Sequence, residues 1–252
     1  YEISECLVGS EMCIRDRSKT FYTEIGALDV LENITFNLNE GEIIAIVGPS
    51  GSGKSTLLNI ISKLIEPTEG EIYVDGEIGY MFQRDHLFNW RTVWKNIMLG
   101  LEIKKEKNQE NIDKTKELLT KYGLIDFINS YPQELSGGMR QRIALIRTLA
   151  TNPQVLLLDE PFSALDYQTR INVSEDIFKM IKDSNVSAIL VTHDISEAIA
   201  MADRVIVLSH RPAKLKKIID IKTDSPDNTP FNKRLSSEFR KYFDEIWGLL
   251  NE

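Results

Sequence analysis

The chain of 252 residues reads as an α/β fold built on a mixed, largely parallel sheet. Three observations carry that reading. Short apolar, β-branched runs at Glu42–Val47, Val155–Asp159, Ala188–Thr192 and Arg204–Leu208 have the unbroken hydrophobicity of strands buried on both faces. Helical stretches separate them. A glycine-rich turn sits directly between the first run and a helix.

The elements follow in order. Tyr1–Arg17 has no clear hydropathy period and no initiating Met. It resembles the translation of a sequencing-adapter read and is expected to be a non-native or disordered leader. After the Glu42–Val47 strand and the glycine turn, Ser55–Ile65 carries Leu57, Leu58, Ile61 and Leu64 at helical spacing. Gly70–Asp75 and Ile78–Gln83 alternate around Gly76 and predict the strands of a hairpin within a small antiparallel sheet. Asn111–Tyr122 predicts a helix ended by Gly123. About Arg84–Ala150 is mostly helical and reads as a subdomain inserted into the α/β core. Residues 18–222 are therefore expected to form the main domain. Ser225–Phe231 predicts a loop, and Asn232–Leu250 a final amphipathic helix.

Composition narrows the class. Hydrophobic residues are 42% and charged residues 27%, which suits a chain with a sizeable core. No apolar run approaches the roughly 18 residues of a membrane helix. Work at a membrane would then need a partner. Lys plus Arg is 30 against 38 Asp plus Glu, a net charge of −8, which argues against nucleic-acid binding. The two cysteines, Cys6 and Cys13, cannot make a disulfide framework, and a reducing setting fits. No secretory signal is visible.

Gly48-Pro49-Ser50-Gly51-Ser52-Gly53-Lys54-Ser55-Thr56 matches the P-loop pattern in its strand–turn–helix context. Glycines let backbone N–H groups turn inward around phosphates, and the helix N-terminus adds positive potential. Lys54 would place a charge on the outer phosphates, and Ser55 would offer a hydroxyl to Mg²⁺. Asp159, at the end of an apolar strand, could hold the same metal shell, and Glu160 could polarise a water. Leu135-Ser136-Gly137-Gly138-Met139-Arg140-Gln141-Arg142 puts a good N-cap and two glycines at a helix start, a second anion site.

This order of motifs resembles the ATP-binding cassette (ABC) ATPases, with Leu135–Arg142 similar to their signature sequence. The resemblance covers about Lys19–Ile221 and implies a P-loop NTPase fold. Gln83 falls where the family has its Q-loop glutamine, Ser163-Ala164-Leu165-Asp166 matches the D-loop, and His193 matches the switch histidine. Phe21 falls at the family's adenine-stacking aromatic, with Tyr22 as its competitor. His86 and His210 read as structural, and Asp194 with Glu197 as a capping box. Met139 departs from the Gln common in the broad family.

The resemblance implies a head-to-tail pair of cassettes with ATP between them. Lys54, Ser55, Gln83 and Asp159 would serve phosphate and metal. Glu160 would be the general base and His193 a contact to the γ-phosphate. Ser136 and Gly138 would bind the partner cassette's nucleotide, and Asp166 would couple the two sites. The stretch Asp85–Glu102 and the tail Glu238–Trp247 are similar to the ATPases of nitrate, sulfonate, taurine, bicarbonate and thiamine-precursor importers. That implies transmembrane permease subunits, a periplasmic or lipid-anchored solute-binding protein, and a place at the cytoplasmic face of the cell membrane. A ribosome- or DNA-associated ABC protein is the alternative. A P-loop small-molecule kinase fails to explain Ser136–Gly138 and His193.

Overall fold

A computed structural model of the chain describes residues 10–23, 26–225 and 227–251. Its strands are β1 (Ser10–Thr23), β2 (Gly26–Asn39), β3 (Ile43–Val47), β4 (Glu69–Val74), β5 (Ile78–Met81), β6 (Val155–Asp159), β7 (Ser187–Val191), β8 (Arg204–Leu208) and β9 (Leu215–Asp220). Its α-helices are α1 (Lys54–Ile61), α2 (Val93–Ile97), α3 (Leu99–Lys104), α4 (Gln109–Lys121), α5 (Gly137–Leu149), α6 (Tyr167–Asp183), α7 (Ile195–Met201), α8 (Pro230–Leu235) and α9 (Ser237–Asn251).

The central sheet has the order β5-β6-β7-β3-β8-β9, parallel except for the β8–β9 pair. Every residue of β3, β6 and β7 is buried, as strands covered on both faces require. Alternation divides their side chains between two cores. Ile43, Ala45, Val47, Leu156, Leu158, Ala188 and Leu190 face the helical side, with Ile143, Phe162, Ile177 and Ile199. Ile44, Ile46, Val155, Leu157, Ile189 and Val191 face α1 and the smaller sheet. That smaller sheet is antiparallel, in the order β2-β1-β4. Between residues 84 and 150 there are four α-helices and two short 3₁₀ turns, with no strand among the described residues. Val93, Ile97, Leu101 and Leu119 of this region join the helical-side core.

Three expectations are corrected. The strands flanking Gly76 do not form a hairpin. β4 pairs with β1 in the small sheet, whereas β5 runs parallel to β6 in the central one. The Gln154 side chain accepts from the Glu77 N–H, and the Gln154 N–H donates to the Glu77 carbonyl, steering the chain from one sheet to the other. The leader is ordered strand from Ser10 onward. Met12 and Ile14 are fully buried, and Arg17 donates to the carbonyls of Glu69 (3.4 Å) and Gly70. A short apolar alternation beside Arg15-Asp16-Arg17 is too brief to read as a strand without its two partners. Tyr1–Gly9, and Cys6 with it, lie outside the described residues. Finally, the tail is two helices, broken at Ser236, whose extended ψ of 151° caps α8. The first of them begins at Pro230, inside the stretch expected to be a loop.

Helix α8 buries a lysine. Lys233 is 2% exposed, and its Nζ donates to the Ala202 carbonyl (2.8 Å) at the end of α7. Burial pushes its pKa down to about 8 from 10.5, with Asp203 opposing and Lys182 assisting. The native state therefore binds this proton more weakly than the unfolded chain. The resulting destabilisation is complete below about pH 8 and is relieved as pH rises toward 10.5. Lys233→Met is expected to raise stability at pH 7 by on the order of 1–3 kcal/mol. Urea midpoints should show that advantage shrinking between pH 8 and 10. An equal gain at both pH values would contradict a charged buried lysine as the cause.

Candidate active site

The phosphate loop runs from the end of β3 into α1. Gly53 sits at φ +104° against β2; a Cβ there would lie 2.7 Å from Val30 Cγ1, so glycine is the residue that fits. The buried Lys54 turns its Nζ onto the carbonyls of Gly48 (2.8 Å) and Pro49 (3.0 Å), closing the loop on itself. Burial lowers the pKa of this ammonium, while Glu160 and Asp159 act to raise it.

The carboxylates come from β6. Ser55 Oγ donates to Asp159 Oδ1 at 3.1 Å, joining residues 104 apart in sequence. Burial raises the Asp159 pKa, opposed by the Ser55 bond. Next to it, Glu160 has φ +44°, a left-handed conformation uncommon for a residue with a side chain. Its N–H donates to the Val191 carbonyl (2.8 Å), and its own carbonyl accepts from Ser163 Oγ (3.0 Å), which holds that conformation. Two groups meet its Oε2: Gln83 Nε2 at 3.2 Å and His193 Nδ1 at 3.3 Å. Gln83 also reaches Ser163 Oγ at 3.4 Å.

The loop carrying His193 is braced from behind. Thr192 Oγ1 donates to the buried Glu197 Oε2 (2.6 Å) and accepts from the Asp194 N–H (3.1 Å). Arg170 Nη1 lies 3.5 Å from both Asp194 Oδ2 and Glu197 Oε1, while Nη2 donates to the Leu165 carbonyl (3.1 Å). One guanidinium thus ties Ser163–Asp166 to the His193 loop. The capping box is only half formed. Asp194 accepts from the N–H groups of Ser196 and Glu197, but the Glu197 carboxylate turns to Thr192 and Arg170.

A cavity of about 710 Å³ gathers much of the expected set: Phe21, Ser50, Gly51, Gly53, Lys54, Ser55, Thr56, Glu160 and His193. Tyr22 is 81% exposed and does not line it. Gly48 and Pro49 contribute from beneath, through the carbonyls that hold Lys54. Ser52 is buried within the loop. Leu28, Val30 and Arg211 line the cavity without having been expected. The first two alternate on β2, a period-2 signal that a register through β1 makes readable; Arg211 follows a strand end and carries no motif.

Ser136, Gly138 and Asp166 do not enter this cavity. Ser136 Oγ accepts from Met139 N–H (3.3 Å) and caps α5; Asp166 accepts from Thr169 N–H (3.1 Å) and caps α6. A Cβ on Gly138 would meet Val173 Cγ2 at 2.9 Å, so this glycine lets the start of α5 pack tightly on α6.

Ser55 Oγ and Asp159 bring a hydroxyl and a carboxylate together, hard oxygen donors suited to a magnesium ion that keeps water and phosphate ligands, while Gln83 turns its Nε2 to Glu160.

Comparison with known proteins shows the family. Residues 31–163 match the family described as ABC transporter. The chain is 41% identical over 249 residues to a nitrate import ATP-binding protein, NrtD, of Synechocystis, covering 94% of each chain. It is 42% identical over 236 residues to an aliphatic sulfonates import ATP-binding protein, SsuB, of Bacillus cereus, covering 90% of this chain and 92% of the relative. Its structure is similar to the dimeric MJ0796 ABC transporter cassette, with a TM-score of 0.72 and 32% identity, covering 84% of this chain and 99% of that one. A post-hydrolysis state of that cassette bound to ADP and Pi gives a TM-score of 0.71 at 33% identity. A glycine-rich loop at a helix start, a strand-end carboxylate pair and His193 meet here within a chain that matches such relatives almost end to end, and the chain belongs to the ABC transporter ATPase family.

Proposed function

We propose that the chain is the ATP-hydrolysing subunit of an importer for a small solute of the nitrate or sulfonate kind, docked on separate permease subunits at the cytoplasmic face of the membrane. The observation that carries the chemistry is the meeting of Gln83 and His193 on one oxygen of Glu160, beside the phosphate loop. Loop N–H groups and Lys54 bind the phosphates. Ser55, Asp159 and Gln83 would hold Mg²⁺, which supplies charge neutralisation on the phosphate oxygens when bound. Glu160 takes a proton from the attacking water, and His193 stabilises charge on the γ-phosphate. Phe21 stacks on the base.

A second cassette presents Ser136 and Gly138 to the γ-phosphate. Both lie outside the chain's own cavity, which suits action in trans. Asp166 faces the same interface.

The surface offered to a permease centres on Trp90, 75% exposed and 4.9 Å from the Phe88 ring. Asn96 is fully buried and pins this loop, donating to the carbonyls of Phe88, Arg91 and Thr92 and accepting from the Phe88 N–H. Trp94, by contrast, packs into the core. No helix among the described residues is long and apolar enough to cross a membrane. Tagging the chain in its source organism and identifying what co-purifies in mild detergent tests this. A multi-span permease supports the importer reading, and the co-purifying solute-binding protein then names the solute. Ribosomes or a DNA-processing complex would overturn it.

A further inference from the structure

Arg211 lies in the nucleotide cavity without a role in the chemistry above. It lines the same space as Phe21, Leu28 and Val30, and its side chain is exposed there. Among the described residues the guanidinium has neither a hydrogen-bond nor an ion-pair partner. Its position is nevertheless built. It sits in the turn between β8 and β9, closed by a backbone bond from Ser209 N–H to the Lys214 carbonyl (2.9 Å) and by a bond from Lys214 N–H to the Ser209 side-chain Oγ (2.9 Å). Ala213, two residues on, donates to the Val30 carbonyl (2.8 Å) and accepts from Glu32 N–H (2.9 Å). Lys214 adds an ion pair to Glu32 at 2.7 Å. The strand leading into the turn packs against the phosphate loop: a Cβ on Gly48 would lie 3.2 Å from Leu208 Cβ. The turn is thus fastened both to β2, which supplies the apolar wall, and to the base of the phosphate loop.

Strand order decides which part of the nucleotide this cation can serve. Glu160 and His193 leave β6 and β7, on one side of β3. Arg211 leaves β8, on the other side. The hydrolytic groups and Arg211 therefore flank the phosphate loop from opposite sides. A planar guanidinium with five donors and no carboxylate to satisfy suits an anionic, oxygen-rich ligand and also stacks on aromatic faces.

We propose that Arg211 is a nucleotide-binding residue, donating to the ribose and α-phosphate end that ATP and ADP share. The inference rests on the nucleotide site described above. It makes Arg211 a source of affinity for either nucleotide and places it outside the hydrolytic step.

Calorimetric titration of ATP and ADP into the wild-type chain, Arg211→Ala and Arg211→Lys tests it. Removing a charge-assisted contact at this exposed position is expected to weaken ATP and ADP alike by about tenfold. Arg211→Lys should recover part of that loss, and the difference should shrink at high salt. In steady-state assays the loss should fall on KM rather than on turnover. The melting temperature of the nucleotide-free chain should stay unchanged, since no protein contact is lost. Unaltered affinities in Arg211→Ala would make this a surface arginine and overturn the proposal. A loss confined to ATP would place it at the γ-phosphate and overturn it equally. Failure of the wild-type chain to bind either nucleotide would instead sink the site itself.

Discussion

Glu160→Gln is expected to bind ATP, to hydrolyse it at least about 100-fold more slowly than the wild type, and to accumulate as a nucleotide-bound pair of cassettes. The amide is isosteric. It can still accept at Oε1 from Gln83 Nε2 and His193 Nδ1, the two groups that meet the carboxylate. The backbone bonds that hold φ at +44° are untouched, so the site keeps its shape. Only the capacity to take a proton from water is removed. Single-turnover hydrolysis gives the rate, and size-exclusion chromatography with and without ATP reads the pairing. Turnover within a few-fold of wild type would remove Glu160 from the role of base, and His193 would become the next candidate.

Lys54→Ala should be as damaging, but at the binding step. The ammonium does two things in this fold. It would neutralise the outer phosphates, and it satisfies the carbonyls of Gly48 and Pro49 beneath the loop. Losing it removes charge-assisted bonds to the ligand and leaves two polar groups without their partner. ATP affinity is expected to fall by about 100-fold or more. Calorimetry measures it, with a thermal melt to show that the chain remains folded. Lys54→Arg keeps the charge but not the compact point donor that the narrow floor admits, and it should recover little. Affinity within a few-fold of wild type in Lys54→Ala would mean that the loop N–H groups alone hold the phosphates.

The two experiments separate failures that a plain activity assay would merge. A chain that binds but does not turn over points to the β6 end of the cleft. A chain that does not bind points to the β3–α1 end.

What could be read without coordinates was local. A five-residue apolar strand buried on both faces announces itself in β3 and β6, because its neighbours in sequence share its environment. The phosphate loop is nine consecutive residues whose strand and helix are adjacent in the chain. Ser136 and Asp194 cap the helices that follow them, within three residues of the N–H groups they bind. Motif order carried the rest, by resemblance.

Tertiary structure decided whatever depends on residues far apart in the chain. Gln83 and Glu160 lie 77 residues apart, and only the β5–β6 pairing sets them side by side. The strands on either side of Gly76 look like a hairpin because alternation reports burial on a face, not which sheet owns the face. Arg170 joins Leu165 to Asp194 and Glu197 through the packing of α6 beside α7, a relation with no period to betray it. Arg211 sits after a strand in an ordinary polar turn. It enters the nucleotide cavity because β8 lies beside β3 and the turn is bonded to β2. Hydropathy and spacing record what each residue needs from its immediate surroundings. Which distant residue meets that need is settled by strand order and helix packing, and those emerge only when the whole chain buries its apolar surface together.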